Sequence, residues 1–417
     1  MAMMPKGQGT GSTAFLKALI FLMFACFAMT TDSVGTVIPQ IIAEFGLGMT
    51  AAGAFHYATM AGIGIAAIML GFLADRIGRR WSILIGLALF GVTSALFAAG
   101  HAFGFFVALL FLSGLGIGIF KAGALALIGD ISHSTREHAA TMNLVEGFFG
   151  VGAIVGPAIV ALSLQSGASW KWVYLIAAGL CLLLVAGTLL APFPPAARPA
   201  GATAAADPRA AIRMLRDPAA LFFAAALVLY VGAEAAIYVW APTYFAGFTG
   251  ANAWLAAYVV SVFFILRAIG RFFGAWLLAR WDWTRVVLLC STAMALLFWV
   301  AIAGGRPVAV FALPATGLFM SVLYPTINST GISCFARARH GSIAGVLLFF
   351  TCIGAVAAPL AMGAAGDLLG NSGSSIVLGG CFATLLAALS LWNWLRQPMA
   401  RRLAERNSAD YPRQGAR

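Results

Sequence analysis

Five ionisable side chains interrupt long apolar stretches of the sequence: Asp32, Lys121, Glu146, Glu234 and Arg267. A charge at the centre of a membrane costs roughly 2.5–3.5 kcal/mol on insertion scales, so each is expected to face a cavity or another charge. A buried carboxylate whose desolvation is balanced by a nearby cation can take up a proton on one side of a membrane and release it on the other. We therefore expect proton coupling at Asp32, Lys121, Glu146 and Glu234.

A second group of residues has the chemistry to bind a polar solute. Flat aromatic faces and directional amide hydrogen bonds suit a sugar, and the candidates are Asn143, Tyr238, Trp240, Tyr324, Asn328 and Gln40. For the aromatic side chains, packing or anchoring at the membrane interface is the alternative role. For Glu234 the alternative is a helix-bridging hydrogen bond, because Gly232 and Ala233 beside it favour close packing. His56 is expected to be a solvated residue at a helix end.

The elements that position these side chains are predicted to be membrane-spanning helices. The chain has 417 residues, of which 62% are hydrophobic and 9% are charged, whereas a soluble domain carries about 25% charged residues. The apolar runs are continuous over about 18 residues or more, which is typical of spanning helices and not of a β-barrel. The sequence predicts an all-α polytopic membrane protein with twelve spans, near 14–39, 51–74, 81–99, 103–129, 138–164, 170–191, 219–246, 253–279, 284–303, 307–334, 341–366 and 374–395.

Composition divides these spans into two six-helix bundles. Proline, alanine, glycine and arginine dominate residues 192–217, which is typical of a flexible basic linker. The linker separates an N-terminal bundle at 14–191 from a C-terminal bundle at 218–396. Residues 1–13 are then a cytoplasmic N-terminal segment, and residues 397–417 a polar cytoplasmic tail that we expect to be disordered.

The two bundles repeat each other in sequence. Gly114–Lys121 matches Gly317–Tyr324, and Ala153–Pro157 matches Ala355–Pro359 at nearly the same spacing. Such parallel repeats indicate pseudo-symmetric halves, and transporters built in this way place their site near the midplane, where the halves face each other.

The net charge of +12 is distributed unevenly about the predicted spans. Nearly all lysines and arginines fall in loops on one side, which predicts that this side and both termini are cytoplasmic. The charge therefore suits anionic lipid headgroups better than nucleic acid. We expect a monomer in the bacterial inner membrane.

Motifs of other protein classes do not occur in the sequence. The six cysteines stand singly in apolar runs with no metal-ligand spacing. There is no phosphate-binding loop, no HExxH and no GxSxG, so neither a nucleotide-driven pump nor an enzyme is expected. A small-molecule substrate and a proton gradient, without a cofactor, are the predicted requirements.

One charged loop carries a family resemblance. Gly71–Arg80 reads GFLADRIGRR, with four charges and two glycines in ten positions. It resembles the signature of the loop between the second and third helices in the major facilitator superfamily, and with the twelve spans and the linker the resemblance covers the whole chain. The resemblance implies a latch that stabilises the outward-open state; the alternative is a charge cluster that only sets topology. The latch candidates are Gly71, Asp75, Arg76, Gly78, Arg79 and Arg80.

A looser resemblance points to a family within that superfamily. Met142–Ala153, Tyr230–Glu234, Gly270–Arg271 and Tyr324–Thr326 resemble segments of the fucose–proton symporter family, including its glucose/mannose members. The resemblance implies import of a monosaccharide together with protons.

The charged residues depart from that pattern at two places. The resemblance leads us to expect a glutamate where Lys121 stands, and Asp32 lies about one turn early relative to Pro39. We therefore hypothesise that Lys121 pairs with Asp32 or Glu146 and that this pair is the proton switch.

Other functions compete with sugar import. Gly152–Pro157 partly resembles a motif of drug–proton antiporters, which favours proton-coupled efflux of drugs, and a lysine at position 121 favours organic anions such as sugar acids. A membrane sensor is the alternative from another class, but the sequence contains no soluble output domain.

Overall fold

The computed structural model describes residues 10–69, 76–132, 135–193, 216–250, 252–336 and 339–410. These residues form an all-α membrane protein, and no strand occurs among them. Ten of their helical stretches are long and apolar enough to cross a membrane. Many large apolar side chains on these helices lie open at the surface, among them Leu190 at 82% and Phe272 at 82% exposure. Such a surface is suited to lipid chains and not to water.

The helices are numbered here along the chain. The first eight are α1 Thr10–Thr31, α2 Val34–Phe45, α3 Met49–Ala52, α4 Ala54–Met69, α5 Arg79–Ala95, α6 Phe103–Ile131, α7 Thr135–Gln165 and α8 Trp172–Leu190. The next eight are α9 Pro218–Ala235, α10 Ala241–Phe245, α11 Ala253–Ala257, α12 Val259–Leu278, α13 Trp283–Ser333, α14 His340–Leu369, α15 Gly373–Arg396 and α16 Pro398–Asp410. A 3₁₀ turn, Leu96–Ala98, follows α5, and a π-helical segment, Ala236–Trp240, joins α9 to α10.

The chain divides into two compact units. Unit 1 comprises Met1–Gln40 and Ala54–Pro199, and unit 2 comprises Ile41–Gly53 and Ala200–Arg417, each as far as it is described. Within unit 1, α4 and α5 pack on α6, and α1 packs on α7. Within unit 2, α12 and α15 pack on α13, and α9 packs on α14.

Glycine contacts hold matching helix pairs together in both units. A Cβ atom added to Gly114 of α6 would lie 2.3 Å from the Thr59 carbonyl oxygen of α4. A Cβ atom on Gly317 of α13 would lie 2.5 Å from the Phe263 carbonyl oxygen of α12. Since both distances are far below van der Waals contact, only glycine allows the two backbones to approach so closely. The sequence repeat is therefore also a repeat of helix packing.

Several predicted spans differ from simple helices or are described only in part. The predicted spans 284–303 and 307–334 lie in one helical stretch, α13, but Gly305 has φ of 64° inside it and separates two helices across a kink. The first predicted span is interrupted at Asp32 and Ser33, between α1 and α2. The predicted span 51–74 is described only as far as Met69, where α4 ends.

The C-terminal tail is ordered over much of its length, so the expectation of disorder from residue 397 is wrong for Pro398–Asp410. Gln397 adopts a left-handed conformation, with φ of 51°, which ends α15 and lets α16 begin at Pro398. Met399 is buried, and Arg402 donates to both carboxylate oxygens of Asp217, at 2.8 and 2.5 Å. These contacts give the helix a docking place on unit 2.

Most of the predicted linker lies outside the described residues, which omit 194–215. The same holds for Gly71 and Asp75 of the charged loop.

Candidate functional site

Unit 2 contains an ion pair inside its membrane-spanning helices. Nη1 of Arg267, on α12, contacts Oε1 of Glu234, on α9, and the two side chains are 20% and 11% exposed. The hydroxyl of Tyr230 donates to the same Oε1 at 3.3 Å. Its ring lies 5.7 Å from that of Tyr324 on α13. Three helices thus bring together a carboxylate, a guanidinium and two phenols.

The backbone changes register directly after this carboxylate. Glu234 is followed at Ala236–Trp240 by the π-helical segment, in which one turn is wider than in an α-helix. Such segments are rare and occur often at functional sites. The altered register carries Tyr238 and Trp240, both buried. The Trp240 indole N–H donates to the Pro359 carbonyl at 3.1 Å, and the Tyr238 ring lies 6.5 Å from that of Phe264.

The backbone beneath Arg267 is held tightly. A Cβ atom on Gly317 would lie 3.1 Å from the Arg267 backbone nitrogen, and one on Gly270 would lie 2.3 Å from the Leu318 carbonyl oxygen. Since α12 and α13 touch backbone to backbone here, the position of the Arg267 backbone is fixed.

Unit 1 has its own polar region, at the break in the first span. The Thr31 hydroxyl donates to Oδ2 of Asp32 at 3.0 Å, and the Ser33 hydroxyl donates to the Thr30 carbonyl at 3.0 Å. Asp32 is buried. Irregular backbone at membrane depth occurs where protein or a cavity surrounds it, so the break marks a protected polar position.

Two glycines of α7 position this break. A Cβ atom on Gly152 would lie 2.1 Å from the Ala25 carbonyl oxygen, and one on Gly156 would lie 2.0 Å from that of Met29. The helices therefore pack closely just before Pro157, between α7 and the last turns of α1.

Lys121 lies over aromatic rings of α1. Its Nζ is 5.5 Å from the centre of the Phe27 ring and 5.9 Å from that of Phe24. The face of an aromatic ring attracts a cation, so these rings stabilise the charge inside unit 1. The pairing of Lys121 with Asp32 or Glu146 stays a prediction.

The other candidates differ in exposure. Glu146 and Asn143 lie on exposed positions of α7, while Gln40, Tyr324 and Asn328 are half-buried. His56 is fully buried, so the expectation that it is solvated is wrong. It lies in the first turns of α4, a helix that packs along α6, and burial there removes the histidine from solvent.

Two arginines of the charged loop, Arg79 and Arg80, contact other helices of unit 1. Nε of Arg79 donates to Asp130 at 2.9 Å. Nη2 of Arg80 donates to the Leu189 carbonyl near the end of α8, and its guanidinium lies 5.8 Å from the Phe193 ring. These two arginines thus hold the ends of α5, α6 and α8 together.

The remaining described residues of the loop have other properties. Gly78 has φ of 87°, which only glycine adopts easily, so the turn before α5 depends on this residue. Arg76 is exposed. The latch role of the loop stays a prediction.

Comparison with known proteins identifies the family. The sequence profile of the Major Facilitator Superfamily matches residues 20–359. The chain belongs to the Major Facilitator Superfamily. The L-fucose-proton symporter of Escherichia coli K12 is 26% identical over 407 residues, covering 88% of this chain and 91% of the relative. Protein TsgA of Salmonella typhimurium LT2 is 23% identical over 363 residues, with 86% and 90% covered.

Solved structures of facilitators share the fold. The nucleoside transporter NupG superimposes with a TM-score of 0.74 at 16% identity, covering 92% of this chain and 98% of that one. The facilitator FucP, in its outward conformation, gives a TM-score of 0.63 at 22% identity, with 91% and 99% covered. This superfamily member is thus a transporter by family and resembles the fucose symporters in sequence.

Sequence reasoning did not assign Arg267 or Tyr230 to the site of this facilitator. Both residues carried a signal: an arginine inside an apolar helix must find a partner, and Tyr230 lies one helical turn before Glu234. Glu234 bridges two helices, since its partner Arg267 lies on α12, and its role in proton coupling stays a prediction. Among the described residues, no group of three or more histidine, cysteine, aspartate or glutamate side chains could hold a metal ion.

Proposed function

We propose that this protein imports a small polar solute, a monosaccharide, by symport with protons and alternating access. The proposal is supported most by the carboxylate of Glu234, which is held within the spans between a guanidinium and a phenol. The similarity to the L-fucose-proton symporter of Escherichia coli K12 supports the same assignment, since the alignment covers most of both sequences.

The chemistry of symport requires a group that changes charge inside the membrane. A carboxylate paired with a cation keeps its charge, and it takes a proton when that cation is drawn away. Glu234 has this arrangement in unit 2. Asp32, Glu146 and Lys121 are the corresponding candidates in unit 1. We place solute contacts at Asn143, Tyr238, Trp240, Tyr324, Asn328 and Gln40.

The orientation of the protein is part of the proposal. We propose that the protein is a monomer in the bacterial inner membrane. Both termini are placed in the cytoplasm, because Arg76, Arg79, Arg280 and the arginines of α16 share one predicted side. The domain limits that follow are an N-terminal bundle at 14–191, a linker at 192–217 and a C-terminal bundle at 218–396.

Reconstitution tests the function directly. The purified protein is placed in liposomes with an imposed pH gradient and is supplied with labelled L-fucose, D-glucose, D-glucuronate or a cationic dye. We expect a neutral hexose to accumulate inside when the outside is acidic, and a protonophore to abolish the accumulation. Dye extrusion without hexose uptake would replace the proposal by drug efflux.

A second candidate function is proton-coupled transport of organic anions such as sugar acids. It is favoured by Lys121, whose ammonium lies beside the rings of Phe24 and Phe27. A cation next to apolar faces suits a solute that has both a carboxylate and a carbon skeleton. Preferential uptake of D-glucuronate over D-glucose in the same liposomes would decide for this candidate.

A further inference from the structure

We propose that Arg267 anchors the substrate in unit 2 and that Glu234 and the substrate compete for its guanidinium. The substrate class is a solute with adjacent hydroxyl groups. The inference rests on proton-coupled transport as proposed above, and it assigns the coupling step to one exchange of partners at Arg267.

The cluster has the composition of a polyol site. A guanidinium is a planar fork of donors that fits two neighbouring oxygen atoms. The guanidinium carbon of Arg267 lies 5.8 Å from the ring of Phe264, and its ion-pair partner Glu234 also binds the phenol of Tyr230. The ring of Tyr324 lies 5.7 Å from that of Tyr230. Aromatic faces pack on the apolar side of a sugar ring, while the donors bind its hydroxyl groups. The side chain of Arg267 is 20% exposed, so part of it remains accessible to a solute.

In this structure Glu234 occupies the guanidinium of Arg267, which is the group that a solute would bind. Oε1 of Glu234 contacts both Nη1 of Arg267 and the hydroxyl of Tyr230. Arg267 from α12 and Tyr230 from α9 contact this carboxylate, and Tyr324 from α13 lies beside Tyr230. Protonation of Glu234 removes its charge and weakens its hold on the guanidinium. The hydroxyl oxygens of a solute can then take the place of the carboxylate, and proton and solute load together.

The backbone supports this exchange. The close approach of Gly317 fixes the start of the Arg267 side chain on α12, so Arg267 presents the same fork to either partner. Glu234 instead precedes the π-helical segment Ala236–Trp240, where backbone hydrogen bonds can exchange partners between the π and α patterns. In this exchange Glu234 is the partner that moves.

Four variants in proteoliposomes test the inference: Glu234→Gln, Arg267→Gln, the double variant carrying both changes, and Arg271→Gln. Arg271 lies one turn along α12 on an exposed position and serves as the matched control. Two readouts are needed: accumulation driven by a pH gradient, and exchange of labelled for unlabelled solute without a gradient. The probe is whichever of labelled L-fucose and D-glucose the wild type takes up faster, with D-glucuronate as a third arm.

The expected results distinguish binding of the solute by Arg267 from mere compensation of the Glu234 charge. Glu234→Gln imitates the protonated carboxylate, so it should keep exchange, lose accumulation and make exchange independent of pH. Arg267→Gln should raise the KM of exchange about ten-fold or more, which is the loss expected for hydrogen bonds from a charged donor. The double variant buries no unpaired charge, so it should fold, as checked by thermal unfolding, yet keep the raised KM. Arg271→Gln should behave as the wild type.

Three results would overturn the inference. If Arg267 only balanced the charge of Glu234, the double variant would regain the wild-type KM, since both buried charges are gone. A KM that Arg267→Gln leaves unchanged would exclude contact with the solute. A KM increase confined to D-glucuronate would assign Arg267 to a carboxylate and not to hydroxyl groups. Wild-type protein that shows no proton-dependent uptake of any of the three solutes would overturn the proposed function itself, and the inference with it.

Discussion

The carboxylate of Asp367, near the end of α14, accepts a hydrogen bond from the backbone N–H of Thr50 at 2.8 Å, and its other oxygen accepts from the N–H of Met49 at 2.6 Å. Gly48, the residue before α3, has no side chain with which to cap that helix. Asp367 therefore caps α3 from 318 and 317 residues away in sequence. Glycine at 48 leaves room for this carboxylate, because a Cβ atom there would lie 2.8 Å from it.

Replacing Asp367 by alanine should loosen α3 and the segment around it. A missing cap costs about 1 kcal/mol, which corresponds to roughly five-fold faster exchange of the protected amide hydrogens. Hydrogen–deuterium exchange over residues 45–53 measures this effect. Asp282→Ala is the control, because Asp282 precedes α13 without a side-chain capping bond. Equal protection in both variants would show that the carboxylate does not hold α3.

Replacing Lys121 by glutamine should change the pH dependence of transport. A cation near a carboxylate favours the charged carboxylate, so without it the carboxylate holds its proton to a higher pH. We expect the pH of half-maximal uptake to rise, measured as initial solute uptake between about pH 5 and 9. Lys121→Arg keeps the positive charge beside the rings of Phe24 and Phe27, and it should retain most of the wild-type profile. An unaltered profile in the glutamine variant would remove Lys121 from the proton switch.

Replacing Arg402 by glutamine should detach α16 from unit 2. Arg402 also donates from Nε to the Cys334 carbonyl at 3.1 Å, and its guanidinium lies 4.7 Å from the Phe335 ring. The pair with Asp217 is partly exposed, so we expect a loss of about 1 kcal/mol, the upper range for such pairs. Thermal unfolding in detergent at neutral pH measures the loss, with the exposed neighbour Arg401→Gln as control. If both variants unfold at the same temperature, the contact does not stabilise unit 2.

The pH dependence of that contact has a defined sign. Burial raises the pKa of Asp217, but hydrogen bonds from Arg402 and from the Ala219 N–H, with the charge of Arg402, outweigh it and leave the pKa below its ordinary value of 3.8. The unfolded state therefore binds the proton more readily, and the contribution is complete above that value and declines as the pH falls below it. The stability difference between wild type and Arg402→Gln should stay constant from about pH 5 to 8. A difference that shrank as the pH rose through this range would contradict this account.

Replacing Gly317 by alanine should disturb the contact between α12 and α13. The added methyl group would lie 2.5 Å from the Phe263 carbonyl oxygen, so the helices must separate, at a cost of about 1–3 kcal/mol. Gly345→Ala is the matched control, because it is helical and has open space at the Cβ position. The control should be neutral or slightly stabilising, since alanine favours a helix. Thermal unfolding and the yield of folded protein distinguish the two, and equal stability of both variants would show that the helices can separate without cost.

The helical class and most span positions were predictable from the sequence, because continuous apolar runs of this length rarely occur outside membrane-spanning helices. The break at Asp32 and the π-helical segment after Glu234 were not, since both lie against helices whose positions the sequence does not show. The same is true of α16. Most of its residues are polar, which predicts a solvated tail. It is held by a few contacts at Met399 and Arg402, and Arg402 binds a partner far away in sequence.

The candidate site was predictable in part. Glu234 and Arg267 were both recognisable as charges within spans, and a charge inside the membrane requires a partner. Sequence alone could not pair them, because they stand on different helices, α9 and α12, and the apolar pattern does not show which helices are neighbours. The role of the glycines in fixing Arg267 was hidden for the same reason, since close backbone approach depends on that neighbourhood.

The glycine contacts bear on how this transporter can diversify. Gly114 and Gly317 each face a carbonyl oxygen with no room for a methyl group, so a substitution at either position lowers the stability of the protein whatever the solute. Under the proposed function, a new substrate preference is reached more readily at side chains such as Tyr230 and Tyr324, whose rings lie beside each other without closing a backbone contact. The glycine-packed helix pairs must be kept for stability, whereas the residues that set solute selectivity can change.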